Sequence, residues 1–256
     1  DRARLDEVLN AWKRAQKAAR DGIPFHEAMR LLAGAGRLPG AVTDNPPGRE
    51  WSRITAGPWL AGVLSRLRSP GTDRASLPGK SLEATLRPYQ EDGVRWLVFL
   101  NELGLGACLA DDMGLGKTIQ VLSLLLVLKA RGTPSRPHLI VVPASLLGNW
   151  RSEAARFAPA LRLRLAHGSG DGVEAAVAED ADIVVTTYGT LAKTEWIRAA
   201  AWDTVVLDEA QAIKNPGARQ TRAVKMIEAR VRLALTGTPV ENRAGDLWSL
   251  FDFLQP

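Results

Sequence analysis

Apolar residues along this chain fall into short runs that alternate with helically spaced stretches. Leu105–Leu109, Leu139–Val142, Ile183–Thr186, Thr204–Leu207 and Leu233–Leu235 are short and largely apolar. That texture suits strands buried on both faces. Leu161–Ala166 alternates and reads as a further short strand. Gly93, Val94, Trp96, Leu97 and Phe99 mark an amphipathic helix that starts at Arg87-Pro88, with Tyr89 and Gln90 in its first turn. A second helical stretch, Ile119–Ala130, follows the first strand, and a third contains Asn149-Trp150. Each strand ends in polar or glycine residues, and a helical segment usually follows. This βα alternation predicts an α/β domain whose mainly parallel sheet is covered by helices on both faces. Its site should lie along the C-terminal edge of the strands.

The first 81 residues have another texture. Leu5, Val8, Leu9, Trp12 and Ala15 repeat at helical spacing, and Pro24–Leu32 and Trp59–Arg68 read as two more helices. Glycines and prolines between Gly34 and Gly48 mark loop. We therefore expect a mostly helical accessory segment over 1–81 and a separate core over 82–256. His26 has no second His or Cys nearby to make a metal pair. Trp12, Trp51 and Trp59 read as anchors of a small core. No repeat or low-complexity tract is present.

Charge sharpens this division. Residues 1–80 carry 14 Lys+Arg against 8 Asp+Glu, a net of +6, whereas 81–256 carry 19 against 20, a net of −1. The basic excess lies outside the core, as a nucleic-acid contact or an ordinary solvated surface. The role of this segment stays open among DNA contact, autoinhibition and docking of a protein partner. Cys108 is the only cysteine, so no disulfide can form within the chain. That suits a reducing cytosol, and Cys108 reads as a small core residue. No apolar run is long enough to span a bilayer, so no membrane partner is expected.

The chemistry-bearing stretch is Ala110-Asp-Asp-Met-Gly-Leu-Gly-Lys-Thr118, between a strand and a helix. Asp112, Met113, Gly114, Leu115 and Gly116 would turn backbone N–H groups toward an anion, helped by the helix dipole. Lys117 could reach β- and γ-phosphates, and the Thr118 hydroxyl could ligate Mg²⁺. The pattern G-x-x-x-x-G-K-[ST] holds except at its first position, where Asp111 stands. A plain glycine-rich turn is the alternative. Asp208-Glu209 ends an apolar strand about ninety residues later. Asp208 would hold Mg²⁺ and Glu209 would orient or deprotonate water. Two acids opening a helix is the bland alternative.

Taken together, these segments resemble the Swi/Snf-type ATPase family, a branch of the superfamily-two helicase-like motors. Leu86-Arg-Pro-Tyr-Gln90 looks like the adenine-reading segment and Ala110–Thr118 like motif I. Val141–Ser145 with Asn149-Trp150 resembles motif Ia, and Val184–Leu191, with Thr187-Tyr188, the motif after it. Asp208-Glu-Ala-Gln211 with Lys214-Asn215 resembles motif II. Leu235-Thr-Gly-Thr-Pro239, then Asn242 and Asp246–Leu250, resembles motif III and its trailing helix. The resemblance covers residues 82–256. It implies a RecA-like lobe, ATP and Mg²⁺ as cofactors, and hydrolysis coupled to movement on double-stranded DNA or remodelling of protein–DNA complexes.

By the same resemblance Gln90 reads adenine, and Gln211, Thr236, Gly237 and Thr238 couple nucleotide state to DNA. Ser145, Asn149, Trp150, Thr187 and Tyr188 become DNA-contact candidates. Gln211 stands where many members carry His, so this position cannot titrate. A second RecA-like lobe, supplying arginines, is expected beyond this one, so the lobe alone should be weakly active. The resemblance also implies a cytoplasmic setting, at the nucleoid in a bacterium, or a nuclear one in a eukaryote. Two other classes remain: a nucleotide-dependent binding module without productive hydrolysis, and an RNA or single-strand helicase lobe.

Overall fold

The computed structural model describes residues 62, 76–132, 136–166, 180–238 and 244–255. The chain divides into two units, Asp1–Ser69 and Pro70–Pro256. The helices expected before residue 69 fall outside the described residues, apart from the single position Gly62. So do Trp12, His26, Trp51, Trp59, Pro239 and Asn242. Nothing is said of the side chains of 244–247.

All six predicted strands form one parallel sheet. They are β1 (Ala107–Leu109), β2 (His138–Val142), β3 (Leu163–Ala166), β4 (Ile183–Thr187), β5 (Ala201–Leu207) and β6 (Glu228–Leu235). Their order is β1-β6-β5-β2-β4-β3. Every residue of β2 and β4 is buried, as is the last six-residue run of β5. Central strands covered on both faces leave no position for a solvated side chain. β3 lies at the sheet edge and is only partly buried.

One face carries α1 (Pro88–Glu102), α2 (Lys117–Ala130) and α3 (Leu147–Phe157), which pack in that sequence. Nine consecutive residues of α2, Gln120–Leu128, are buried. An all-round apolar stretch belongs between layers, and the one hydroxyl within it, Ser123, donates to the Ile119 carbonyl at 2.7 Å. The other face carries α4 (Tyr188–Lys193), α5 (Glu195–Ala199), α6 (Arg219–Lys225) and α7 (Ala244–Leu254). Leu139, Val141, Val184, Val205 and Leu207 form the core there with Leu191, Ile197, Trp202, Val224 and Phe253.

Arg232 fastens the end of α7. The residue is 8 % exposed; its guanidinium donates to the carbonyls of Phe253 (3.0 Å) and Ile227 (2.7 Å), and lies 5.4 Å from the Phe253 ring centroid. A cation beside the last carbonyls of a helix is favoured by its dipole. Cys108 departs from expectation: its side chain is exposed, because it occupies the outward position of the short edge strand β1. Among the described residues, no helix is long and apolar enough to cross a membrane.

A polar network closes the N-terminal edge of the sheet. Arg230 donates to both carboxylate oxygens of Asp203, at 2.8 and 3.1 Å, and to the Asn101 side chain at 2.8 Å. His138 lies beside them with Nδ1 3.6 Å from Asp203 Oδ2. Burial pushes its pKa down to about 4; the Asp203 charge opposes this, the Arg230 charge adds to it and Asp182 opposes it. The folded imidazole therefore binds a proton less readily than the unfolded one, near 6.5. Stability from the neutral form is complete above about pH 6.5 and is lost as pH falls toward 4. Asp203 and Asp182 are held below the usual carboxylate value by Arg230, and by Lys129 with Arg162, despite burial. Their contribution disappears at still lower pH. Urea unfolding between pH 7.5 and 4.5 should show stability falling by up to about 3 kcal/mol. A His138→Gln variant should lose most of that slope.

Candidate active site

The phosphate-loop candidate leaves β1 at Leu109 and enters α2 at Lys117. Gly114 and Gly116 have φ of 82° and 80°, left-handed values that cost a side chain energy. At Gly116 a Cβ would also lie 2.5 Å from Gln90 Nε2. Lys117 Nζ folds over the loop and donates to the carbonyls of Asp111 (2.7 Å) and Asp112 (3.1 Å). The departure at Asp111 has a local explanation. Its carboxylate accepts from Gln120 Nε2 at 2.8 Å, and the same amide nitrogen lies 3.4 Å from the Gly116 carbonyl. Gln120 thus ties both ends of the loop to α2. Sequence reading missed it, although one glutamine in an apolar helix was a visible signal.

Gln90 sits at the third position of α1. Its Oε1 accepts from the Arg87 backbone N–H at 2.9 Å, and its Nε2 donates to the Leu115 carbonyl at 3.0 Å. The Tyr89 hydroxyl donates to that carbonyl at 3.0 Å. The start of α1 is thereby fastened to the loop.

Asp208 follows the last residue of β5 and is 7 % exposed. Its Oδ2 accepts from the Trp150 indole N–H at 2.8 Å, and its Oδ1 from the Glu209 N–H at 2.9 Å. Its own carbonyl accepts from the Tyr188 hydroxyl at 2.8 Å. Burial raises the Asp208 pKa, while the Trp150 and Glu209 hydrogen bonds hold it down. The Tyr188 phenol is pushed well above 10 by burial and by the charges of Asp208 and Glu209. Glu209 has φ 50° and ψ 56°, alone among the described non-glycine residues in being left-handed. A strained backbone of this kind persists only when its surroundings enforce it.

A line of hydrogen bonds leaves Glu209. Gln211 Nε2 donates to Glu209 Oε2 at 2.6 Å, and Thr236 Oγ1 donates to Gln211 Oε1 at 3.0 Å. The Thr238 N–H then donates to Thr236 Oγ1 at 3.1 Å. Gln211 therefore serves as donor on one side and acceptor on the other, which a neutral amide does without titrating. Gly237 approaches the phosphate loop; a Cβ there would lie 3.0 Å from Met113 Cγ.

Ser145 and Asn149 are exposed. Trp150, Tyr188 and Thr187 are 1 %, 6 % and 5 % exposed. The first two bond Asp208, and Thr187 caps α4 by accepting from the Thr190 N–H at 3.1 Å. Glu153, also missed from sequence, has its pKa raised most by burial, and the Asp208 charge adds to this. Thr118, Asp208 and these carboxylates offer only oxygen, the donor set that suits Mg²⁺. Among the described residues no group of three or more His, Cys, Asp or Glu could hold a metal alone. An ion here would share its ligands with the phosphates it accompanies.

The geometry agrees with what known proteins show. The SNF2-related domain profile matches residues 89–256. A Bacillus subtilis protein named as an ATP-dependent helicase/translocase, YwqA, is 50 % identical over 179 residues, covering 68 % of this chain and 19 % of that protein. The TATA-binding protein-associated factor MOT1 of Saccharomyces cerevisiae is 42 % identical, over 69 % of this chain and 10 % of its own length. The SWI2/SNF2 ATPase core of Sulfolobus solfataricus, solved in complex with double-stranded DNA, superposes with a TM-score of 0.64 at 44 % identity. That match covers 69 % of this chain and 37 % of the other. The chain thus spans well under half the length of these relatives. With six parallel strands, helices on both faces and the two carboxylates beside a glycine-built loop, it belongs to the SNF2-related family of ATPase domains.

Proposed function

We propose that this chain is the ATP-binding and catalytic lobe of a double-stranded-DNA translocase, which couples ATP hydrolysis to movement along DNA or to remodelling of protein–DNA complexes. The line Glu209–Gln211–Thr236–Thr238 carries this reading. A module that only binds nucleotide has no use for a path from the acid beside the phosphate loop to a third loop. A motor needs one, because the state of its nucleotide must reach the surface that grips its track.

In this reading the amides of residues 112–116 cradle the phosphates, and Lys117 exchanges the Asp111 and Asp112 carbonyls for β- and γ-phosphate oxygens. Gln90 offers adenine the same donor and acceptor that it now offers Leu115 and Arg87. Thr118 and Asp208 would hold Mg²⁺, which supplies charge neutralisation at the phosphates. Glu209 orients water and takes its proton as the water oxygen bonds the γ-phosphorus and the bridge to ADP breaks. Ser145 and Asn149 offer exposed hydroxyl and amide groups for DNA phosphates. The buried Trp150, Thr187 and Tyr188 shape the segments around them. A second RecA-like lobe of the same protein supplies the arginines, and residues 1–81 form an accessory segment with room for a protein partner.

Glu209→Gln in the full-length protein should lower ATP turnover by about 10²–10⁴ with nucleotide binding retained. Unchanged turnover would leave only the binding-module reading. The isolated 256-residue chain should show little DNA-stimulated hydrolysis, since an arginine of this kind is worth about 10³–10⁵ in rate in related NTPases. Robust stimulation of this chain alone would remove the need for a second lobe. The full-length protein should displace a third strand from a DNA triplex without separating the duplex beneath. Efficient duplex unwinding would favour the helicase alternative.

A further inference from the structure

We propose that helices α3 and α4 set the bearing of the magnesium-holding Asp208, with Trp150 and Tyr188 as its positioning residues. The inference rests on the nucleotide reading above and adds two residues to it. Trp150 holds the carboxylate and Tyr188 the backbone carbonyl of the same residue.

The chemistry of each contact is specific. A buried indole N–H needs an acceptor, and any carbonyl would serve. Here the acceptor is the Asp208 carboxylate, at 2.8 Å. With Oδ2 held by Trp150 and Oδ1 by the Glu209 N–H, the carboxylate cannot rotate freely. Each oxygen still has a lone pair to offer. Tyr188 fixes the same residue through its backbone carbonyl, so two buried aromatics from different helices converge on it. Partners of this kind orient the atoms that meet a metal and raise its affinity. Packing alone would fill the space around Asp208 without aiming two polar atoms at this one residue.

The test is binding of a fluorescent ATP analogue to the 256-residue chain, titrated with Mg²⁺ from EDTA upward. Trp150→Phe keeps a ring and deletes the N–H; Tyr188→Phe keeps a ring and deletes the hydroxyl. In EDTA both variants should bind the analogue as the unaltered chain does. The Mg²⁺ concentration that half-tightens binding should rise about tenfold in each. Thermal unfolding checks that they fold; if Trp150→Phe does not, Tyr188→Phe decides. Folded variants whose Mg²⁺ curves overlay that of the unaltered chain overturn the proposal and leave the nucleotide reading standing. An unaltered chain that binds no analogue at any Mg²⁺ concentration overturns both.

Discussion

A carboxylate taken out of water at the end of a central strand costs several kcal/mol unless its lone pairs find partners. Asp208 meets that constraint, and much of the site is arranged around meeting it. The indole of Trp150, the N–H of Glu209 and the hydroxyl of Tyr188 all arrive at this one residue. Satisfying Oδ1 with the very next N–H accompanies the left-handed turn at Glu209. That turn places Glu209 where Gln211 can reach it, and from Gln211 the contact passes to Thr236. Buried polar networks of this kind are worth having only when complete.

The phosphate loop obeys a related rule at lower cost. Its backbone bends through two left-handed glycines, and its carbonyls turn toward donors that the protein supplies: Lys117, Tyr89 and the amides of Gln90 and Gln120. The loop is thereby shaped before any ligand arrives, and preorganisation of this sort reduces the ordering cost of binding.

Much of this was legible in the residues. Leu139–Val142, Ile183–Thr186 and Thr204–Leu207 announced themselves because strands covered on both faces have no solvated positions. The loop and the acid pair were legible because glycine, lysine and adjacent carboxylates have few other uses in that order. What escaped was direction. Periodicity places Trp150 and Tyr188 on their helices, but only the fold shows that both face Asp208 rather than the outside. Gln120 was hidden for the same reason: a polar side chain declares its partner only when another strand end is brought beside it. Cys108 was misjudged because three residues at a sheet edge leave one position uncovered.

The polar network of His138, Asp203, Arg230 and Asn101 lies at the opposite edge of the sheet from Lys117, Asp208 and Thr236. Strand by strand, stability is secured at one end and reactivity at the other. Distant sites of this kind contribute nearly additively. Changing that network can therefore alter stability while the residues that face nucleotide stay as they are. The length of a β-strand is then more than a spacer: it insulates the reactive edge from the edge that secures the fold.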